Sequence, residues 1–249
     1  RSRRTRCQKA RRRLSPELKL GLYFDLRNPE PWARPWPEVY GRALDLVVEA
    51  ERLGAASVWF SEHHLFADGY LPQPLTFAAA AAARTSHVRI GTAVLLAALR
   101  PAALVAEEVA VIDQLSNGRL ELGIGAGYSV PEYELYNTDI TKRYGLTDAA
   151  VAEIRRLLDD GIVTPPAAQN PFPFWLGYQG PQGAKRAGRL GVGLLSLDRA
   201  LLDPYREGLV EGGYDPATAR TGGMLDIFTG STAPTSAQRN TGGTFPIIA

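Results

Sequence analysis

The sequence predicts an α/β chain folded as a (β/α)8 TIM-type barrel, incomplete after strand seven. Three observations lead there. Short β-branched and aromatic runs alternate with amphipathic helical segments from Leu18 onward, the pattern of parallel strands joined by right-handed crossovers. Polar or glycine-rich residues stand at the end of nearly every strand: Asp25, Glu62 to His64, Thr92, Gly125 to Tyr128, Tyr178 to Gly180, Ser196 and Asp198. A barrel gathers its site from many strand ends, whereas an open sheet concentrates it at one switch point. The first strand-to-helix junction, Asp25-Leu26-Arg27-Asn28-Pro29, has none of the glycines a dinucleotide turn needs.

The elements follow in order. Residues 19–25 read as the first strand. A helix is expected over 37–53, with Pro37 in its first turn and Gly54 just past its end. Its apolar positions Val39, Leu44, Val47, Val48 and Leu53 recur at helical spacing. Strand two spans 57–63 and helix two 74–84; strand three spans 88–95 and helix three 101–115. Strand four covers 119–125. A loop with Pro131 and several aromatic residues then leads to helix four at 148–159. Strand five (173–178), helix five (181–190), strand six (192–197) and helix six (201–211) follow. Strand seven is expected at 224–229. After it the chain is rich in Ser, Thr, Pro and Ala without periodicity, and only 245–249 offers an eighth strand.

These boundaries divide the chain into a basic leader (1–17), a barrel (18–229) and an irregular tail (230–249). The net charge of +2 hides an asymmetry. Residues 1–13 carry eight basic groups and no acid. Removing those eight from the 28 Lys and Arg leaves 20 against 26 Asp and Glu. The body is therefore acidic. No apolar segment follows the leader, which argues against export, and no aromatic residues interleave its arginines, which argues against base stacking. It reads as disordered, and the chain as one that engages neither nucleic acid nor membrane. Cys7 is the only cysteine, so an intrachain disulfide and a cysteine-based metal site are excluded. No metal site is expected, no apolar run is long enough to span a bilayer, and a cytoplasmic location is the default.

The richest stretch chemically is Ser57–Asp68, a strand-like run ending in Glu62-His63-His64, two of only three histidines in 249 residues. Imidazole changes charge near neutral pH, which suits a catalytic mouth. Alternation along a strand puts Ser61 and His63 on one face and Glu62 and His64 on the other, where Glu62 could orient a ring. Anions need backbone N–H groups at a helix start or a glycine turn. Two places offer them: Gly125-Ala126-Gly127-Tyr128 and Gln179-Gly180-Pro181-Gln182-Gly183. The second is the stronger phosphate candidate, with Lys185 and Arg186 as nearby cations.

Taken with Ile90-Gly91-Thr92-Ala93-Val94 and the run from Ala106 through Asp113-Gln114-Leu115-Ser116-Asn117-Gly118-Arg119 to Gly123-Ile124-Gly125-Ala126-Gly127-Tyr128, residues 19–228 resemble the bacterial luciferase-like flavin monooxygenases, which include deazaflavin-dependent reductases. The resemblance implies a barrel holding reduced FMN, or coenzyme F420, at its C-terminal mouth. It implies His63 as base or hydrogen-bond partner near the ring. It makes Thr92, Ala93, Val94, Gly125, Gly127, Tyr128, Tyr178, Gln179, Gly180 and Gly183 the cofactor-binding candidates, with a non-proline cis peptide at Ala93-Val94. Tyr128, Tyr133 and Tyr136 are candidate pocket walls, and Glu107, Glu108, Asp113 and Arg119 read as scaffold.

Luciferases place a cation where Ala126 stands, so phosphate binding here would rest on other groups. The excursion after residue 159 is shorter than in larger relatives, and the family's portion beyond strand seven is missing, as in a truncated coding region. The expected activity is oxygenation of a small organic substrate by reduced FMN and oxygen. Hydride transfer with F420 is the alternative, and a non-catalytic flavin-binding remnant a further one. A flavin reductase or nicotinamide donor and a homodimer are the expected partners.

Overall fold

The computed structural model describes residues 19–225 and 247–248. The leader, nearly all of the tail and residues 226–229 of the expected strand seven lie outside the described residues. Within them, seven parallel strands carry the fold: β1 (Gly21–Phe24), β2 (Ser57–Phe60), β3 (Arg89–Thr92), β4 (Leu120–Ile124), β5 (Phe174–Leu176), β6 (Gly193–Leu195) and β7 (Thr221–Gly222). Each pairs in parallel with the next, from β1 through β7. Helices α1 (Trp36–Arg52), α2 (Pro74–Arg84), α3 (Ala102–Ser116), α4 (Val130–Leu135), α5 (Arg143–Asp159), α6 (Gly180–Arg189) and α7 (Leu202–Glu211) fill the crossovers. No helix among the described residues is long and apolar enough to cross a membrane.

The sheet curls. β8 (Met224–Leu225) follows β7 after Gly223 alone, yet it sits at the opposite end of the strand order. Between β8 and β1 lies β9 (Ile247–Ile248), antiparallel to both. Among the described residues the parallel array therefore has seven strands, and the two antiparallel residues of β9 stand beside β1 where an eighth stave would. The seventh parallel strand is Thr221–Gly222, ahead of the stretch expected to form it, whose first two residues, Met224 and Leu225, form β8 instead.

Most expected elements hold within a few residues. The apolar stripe of α1 buries Ala43, Val47 and Ala50, and Gly54 follows the helix with φ near +85°. Alanine-rich α2 turns Ala78, Ala81 and Ala82 inward, where only small side chains let helix and sheet approach. Two corrections bear on the site. The segment read as a loop after strand four contains α4, with Pro131 and Glu132 in its first turn. The helix expected at 148 starts at Arg143. Asp113 and Arg119 are scaffold. Asp113 binds Gln169; the buried Arg119 guanidinium donates to the carbonyls of Ala82, Thr85, Val88 and Ser116.

Candidate active site

The chain leaves β2 at Phe60 and runs on through Ser61, Glu62, His63 and His64, all packed at the C-terminal mouth of the sheet. Glu62 is only 2% exposed. One oxygen meets His64 Nε2 at 2.7 Å; the other accepts the Leu96 N–H and an Arg100 N–H, both at 2.8 Å. Burial alone would raise its carboxyl, but the His64 hydrogen bond and the Arg100 charge hold it below the usual carboxylate range. Glu62 thus fastens the segment after β3 to the end of β2.

That segment forms the floor of a hollow. Thr92 Oγ1 bridges to both backbone groups of Gly123. The Ala93–Val94 peptide is cis, and Leu95 returns to pair with β4 through Gly123 and Gly125. A methyl group on Gly125 or Gly177 would strike the Val94 side chain. Glycine at both positions is what lets Val94 sit between β4 and β5.

His63 stands on one wall. Its Nδ1 lies 2.8 Å from Glu132 Oε1, and its side chain is 17% exposed. The ring is surrounded by Phe66, Tyr70 and Tyr128 at centroid distances of 4.9, 4.7 and 5.4 Å. Glu132, on α4, is fully buried. Its Oε1 also accepts the His64 backbone N–H at 2.8 Å, while its Oε2 has no partner among the described residues. Tyr133, the next residue, donates its hydroxyl to Ala126 O and so ties α4 to the glycine turn; burial pushes its phenol up to about 12.

A further part of the lining belongs to α5 and the approach to α6. Arg143 lies with its guanidinium 4.6 Å over the Tyr144 ring, donates to Ile140 O and has no carboxylate partner among the described residues. Tyr178 is buried, with its hydroxyl donating to Asp148 at 2.7 Å. Burial and the Asp148 carboxylate both raise its pKa, so the phenol stays neutral.

The hollow has a volume of about 260 Å³. It brings together His63, Ala93, Val94, Gly125, Gly127, Tyr128, Tyr178 and Gln179 of the residues singled out from sequence, and adds Tyr23, Arg143, Tyr144 and Gly177. Three candidates stand off it. Thr92 is buried against Gly123. Gly183 packs on Tyr178, where a Cβ would clash. Gly180, at φ near +71°, opens α6 beside Gln179 without lining the hollow. The cations named from sequence are spent elsewhere: Lys185 pairs with Glu211 and Arg186 with Asp148, both at 2.6 Å.

Sequence reasoning missed Glu132, Arg143 and Tyr144. A signal existed for the first: Ser129, then Pro131 and Glu132, is a helix-start pattern. None existed for Arg143, whose neighbours Thr141 and Lys142 are equally polar.

A chain with this curled parallel sheet and this mouth matches the family model described as luciferase-like monooxygenase over residues 21–239. The chain belongs to that family. Among luciferase-like relatives, it is 31% identical over 207 residues to the F420-dependent glucose-6-phosphate dehydrogenase of Kineococcus radiotolerans, covering 75% of this chain and 61% of that protein. It is 36% identical over 97 residues to the oxygenase component of the flavin-dependent trigonelline monooxygenase of Acinetobacter baylyi, covering 39% and 27%. The crystal structure of the monooxygenase RslO1 from Streptomyces bottropensis superposes with a TM-score of 0.72 at 26% identity, covering 80% of this chain and 68% of that one. The chain spans less than two thirds of the length of these two curated relatives. Both a flavin and a deazaflavin name thus occur among its luciferase-like relatives.

Proposed function

We propose that this chain is the barrel of a flavin-dependent oxidoreductase that uses reduced FMN and oxygen on a small organic substrate. The observation that carries the reading is that His63 and Arg143 line one hollow together with Val94, Gly125 and Gly177. The residues fit such a cofactor. A flat ring needs a floor free of side chains, which Gly125 and Gly177 supply around Val94. A phosphate needs a cation not already neutralised, and Arg143 meets that need. FMN, when bound, supplies the redox chemistry. The chain's residues bind, orient and exclude water: Arg143, helped by Gln179, holds the anionic tail; Tyr23 and Tyr128 close the hollow; His63 handles a proton beside the ring.

The second reading is hydride transfer with F420, favoured by the dehydrogenase relative, whose name states that dependence. A non-catalytic flavin-binding role is the third, favoured by the antiparallel pair β9 standing in the eighth position. A reductase supplying reduced flavin is the partner we propose, because one relative is named an oxygenase component. A homodimer, a cytoplasmic location and the division at residues 17 and 229 complete the proposal.

The test is to purify the chain, record the absorbance of any bound chromophore, and assay donor oxidation. A flavin spectrum with turnover that His63→Ala abolishes supports the first reading. A deazaflavin spectrum moves the assignment to the second. Retained chromophore without turnover under any donor selects the third.

A further inference from the structure

The two neighbouring histidines are held by two different carboxylates through two different ring nitrogens. His63 presents Nδ1 to Glu132 Oε1 at 2.8 Å, and His64 presents Nε2 to Glu62 Oε1 at 2.7 Å. An ionised carboxylate only accepts hydrogen bonds, so the ring nitrogen facing it carries the proton. From this geometry we infer that Glu132 and Glu62 set the paired imidazoles in opposite neutral tautomers, which makes Glu132 a positioning residue that presents His63 Nε2 as a proton acceptor. The catalytic half of that inference rests on the oxidoreductase reading above; the tautomers do not.

Three details support it. Glu132 Oε1 already receives the His64 backbone N–H, so it serves as an acceptor twice over. His63 Nε2 has no partner among the described residues and its ring borders the hollow, so it is the nitrogen left for a ligand. On the other ring, the Tyr136 hydroxyl lies 3.5 Å from His64 Nδ1, a long contact that a phenol O–H donating to an unprotonated Nδ1 would fit.

The consequence is directional. In the substrate step an O–H bond of a bound hydroxyl or water breaks, its electron pair stays on oxygen, and the proton forms a bond to His63 Nε2. Nδ1 keeps its own proton, and the imidazolium so formed lies beside the Glu132 carboxylate. His64, turned the other way and buried with Glu62 and Arg100, takes no part.

The chain has three histidines, so the imidazole nitrogens of the 15N-labelled chain can be assigned by substitution. The expected spectrum, recorded without cofactor or substrate, shows His63 protonated at Nδ1 and bare at Nε2, and His64 the reverse. Glu132→Ala should release His63 to the Nε2–H form favoured by free imidazole while His64 keeps its pattern, which also reports that the fold is intact. Glu132→Gln, whose carbonyl can accept both hydrogen bonds now made to Oε1, should retain the tautomer. With whichever cofactor is found, Glu132→Ala should lower kcat by roughly 10²- to 10⁴-fold with KM little changed, and Glu132→Gln should recover part of the loss. A proton on Nε2 of His63 in the unmodified protein, or a tautomer indifferent to Glu132→Ala, overturns the inference. So does an unchanged kcat. A chain that binds neither flavin nor deazaflavin refutes the functional reading while the spectrum still decides the tautomers.

Discussion

Replacing Arg143 with methionine separates the cofactor's phosphate from its ring. Met keeps an apolar stem against Tyr144 while removing the charge that borders the hollow. Hydrogen bonds to charged groups contribute about 1.5–3 kcal/mol each. Arg143 is half-buried, so solvent screens it less than a surface cation. Loss of one such bond to phosphate should therefore weaken FMN binding roughly 10- to 150-fold. Riboflavin has the same ring and no phosphate, so its affinity should change by less than about threefold, which is under 1 kcal/mol. Fluorescence titration of both ligands against both proteins closes a four-cornered cycle, in which only the FMN edge should move. The substitution also removes the hydrogen bond to Ile140 O, so a thermal melt must accompany the titration. Equal weakening for FMN and riboflavin would refute the phosphate role and leave Arg143 as a structural clasp for α5.

Further outcomes follow from the same geometry. Glu62→Gln leaves the Arg100 guanidinium without its carboxylate, and breaking a buried pair typically costs about 3–5 kcal/mol, measurable by urea unfolding. Because the folded Glu62 pKa is depressed, its contribution is complete above the unfolded value of about 4.3 and is lost as pH falls through the folded value. The unmodified chain should then lose stability below roughly pH 4, and Glu62→Gln should show a shallower acid limb. Gly125→Ala forces a Cβ into Val94 and should destabilise by about 1–3 kcal/mol, with weaker flavin binding in the same titration. Gly145→Ala, in α5 with open space around it, should instead be neutral or stabilising by about 0.4–1 kcal/mol.

What could be read from the sequence divides along the range of the interactions involved. Helices α1, α2 and α3 carry their apolar stripes and end signals within one segment, so local pattern placed them. The Glu62–His64 pairing was legible as two neighbouring polar groups at the β2 exit, and the structure joins them. But β2 ends at Phe60, and Ser61, Glu62 and His63 all line the hollow, so the expected alternation of faces does not extend past the strand. Glu132 was not legible. Its meeting with His63 spans 69 positions, and α4, six residues long, is too short for helical periodicity to register. The pairing of the cations named from sequence was hidden for a related reason. Lys185 and Arg186 sit beside a glycine-rich helix start, but their charges are taken by Glu211 on α7 and Asp148 on α5. Only packing shows that Arg143 has no carboxylate partner among the described residues. Strand β9 was foreseen as a place and not as a direction: nothing in two isoleucines says that they run antiparallel to β1.

The central claim is that His63 and Arg143 face one bound flavin-type ring system. Its most direct test is to follow the imidazole signals of the three histidines while FMN is added to the labelled chain. The account predicts that His63 shifts in step with saturation, that exposed His87 stays where it is, and that Arg143→Met moves the midpoint to higher FMN. Saturable FMN binding that leaves His63 untouched would contradict it, as would the absence of binding by both FMN and F420.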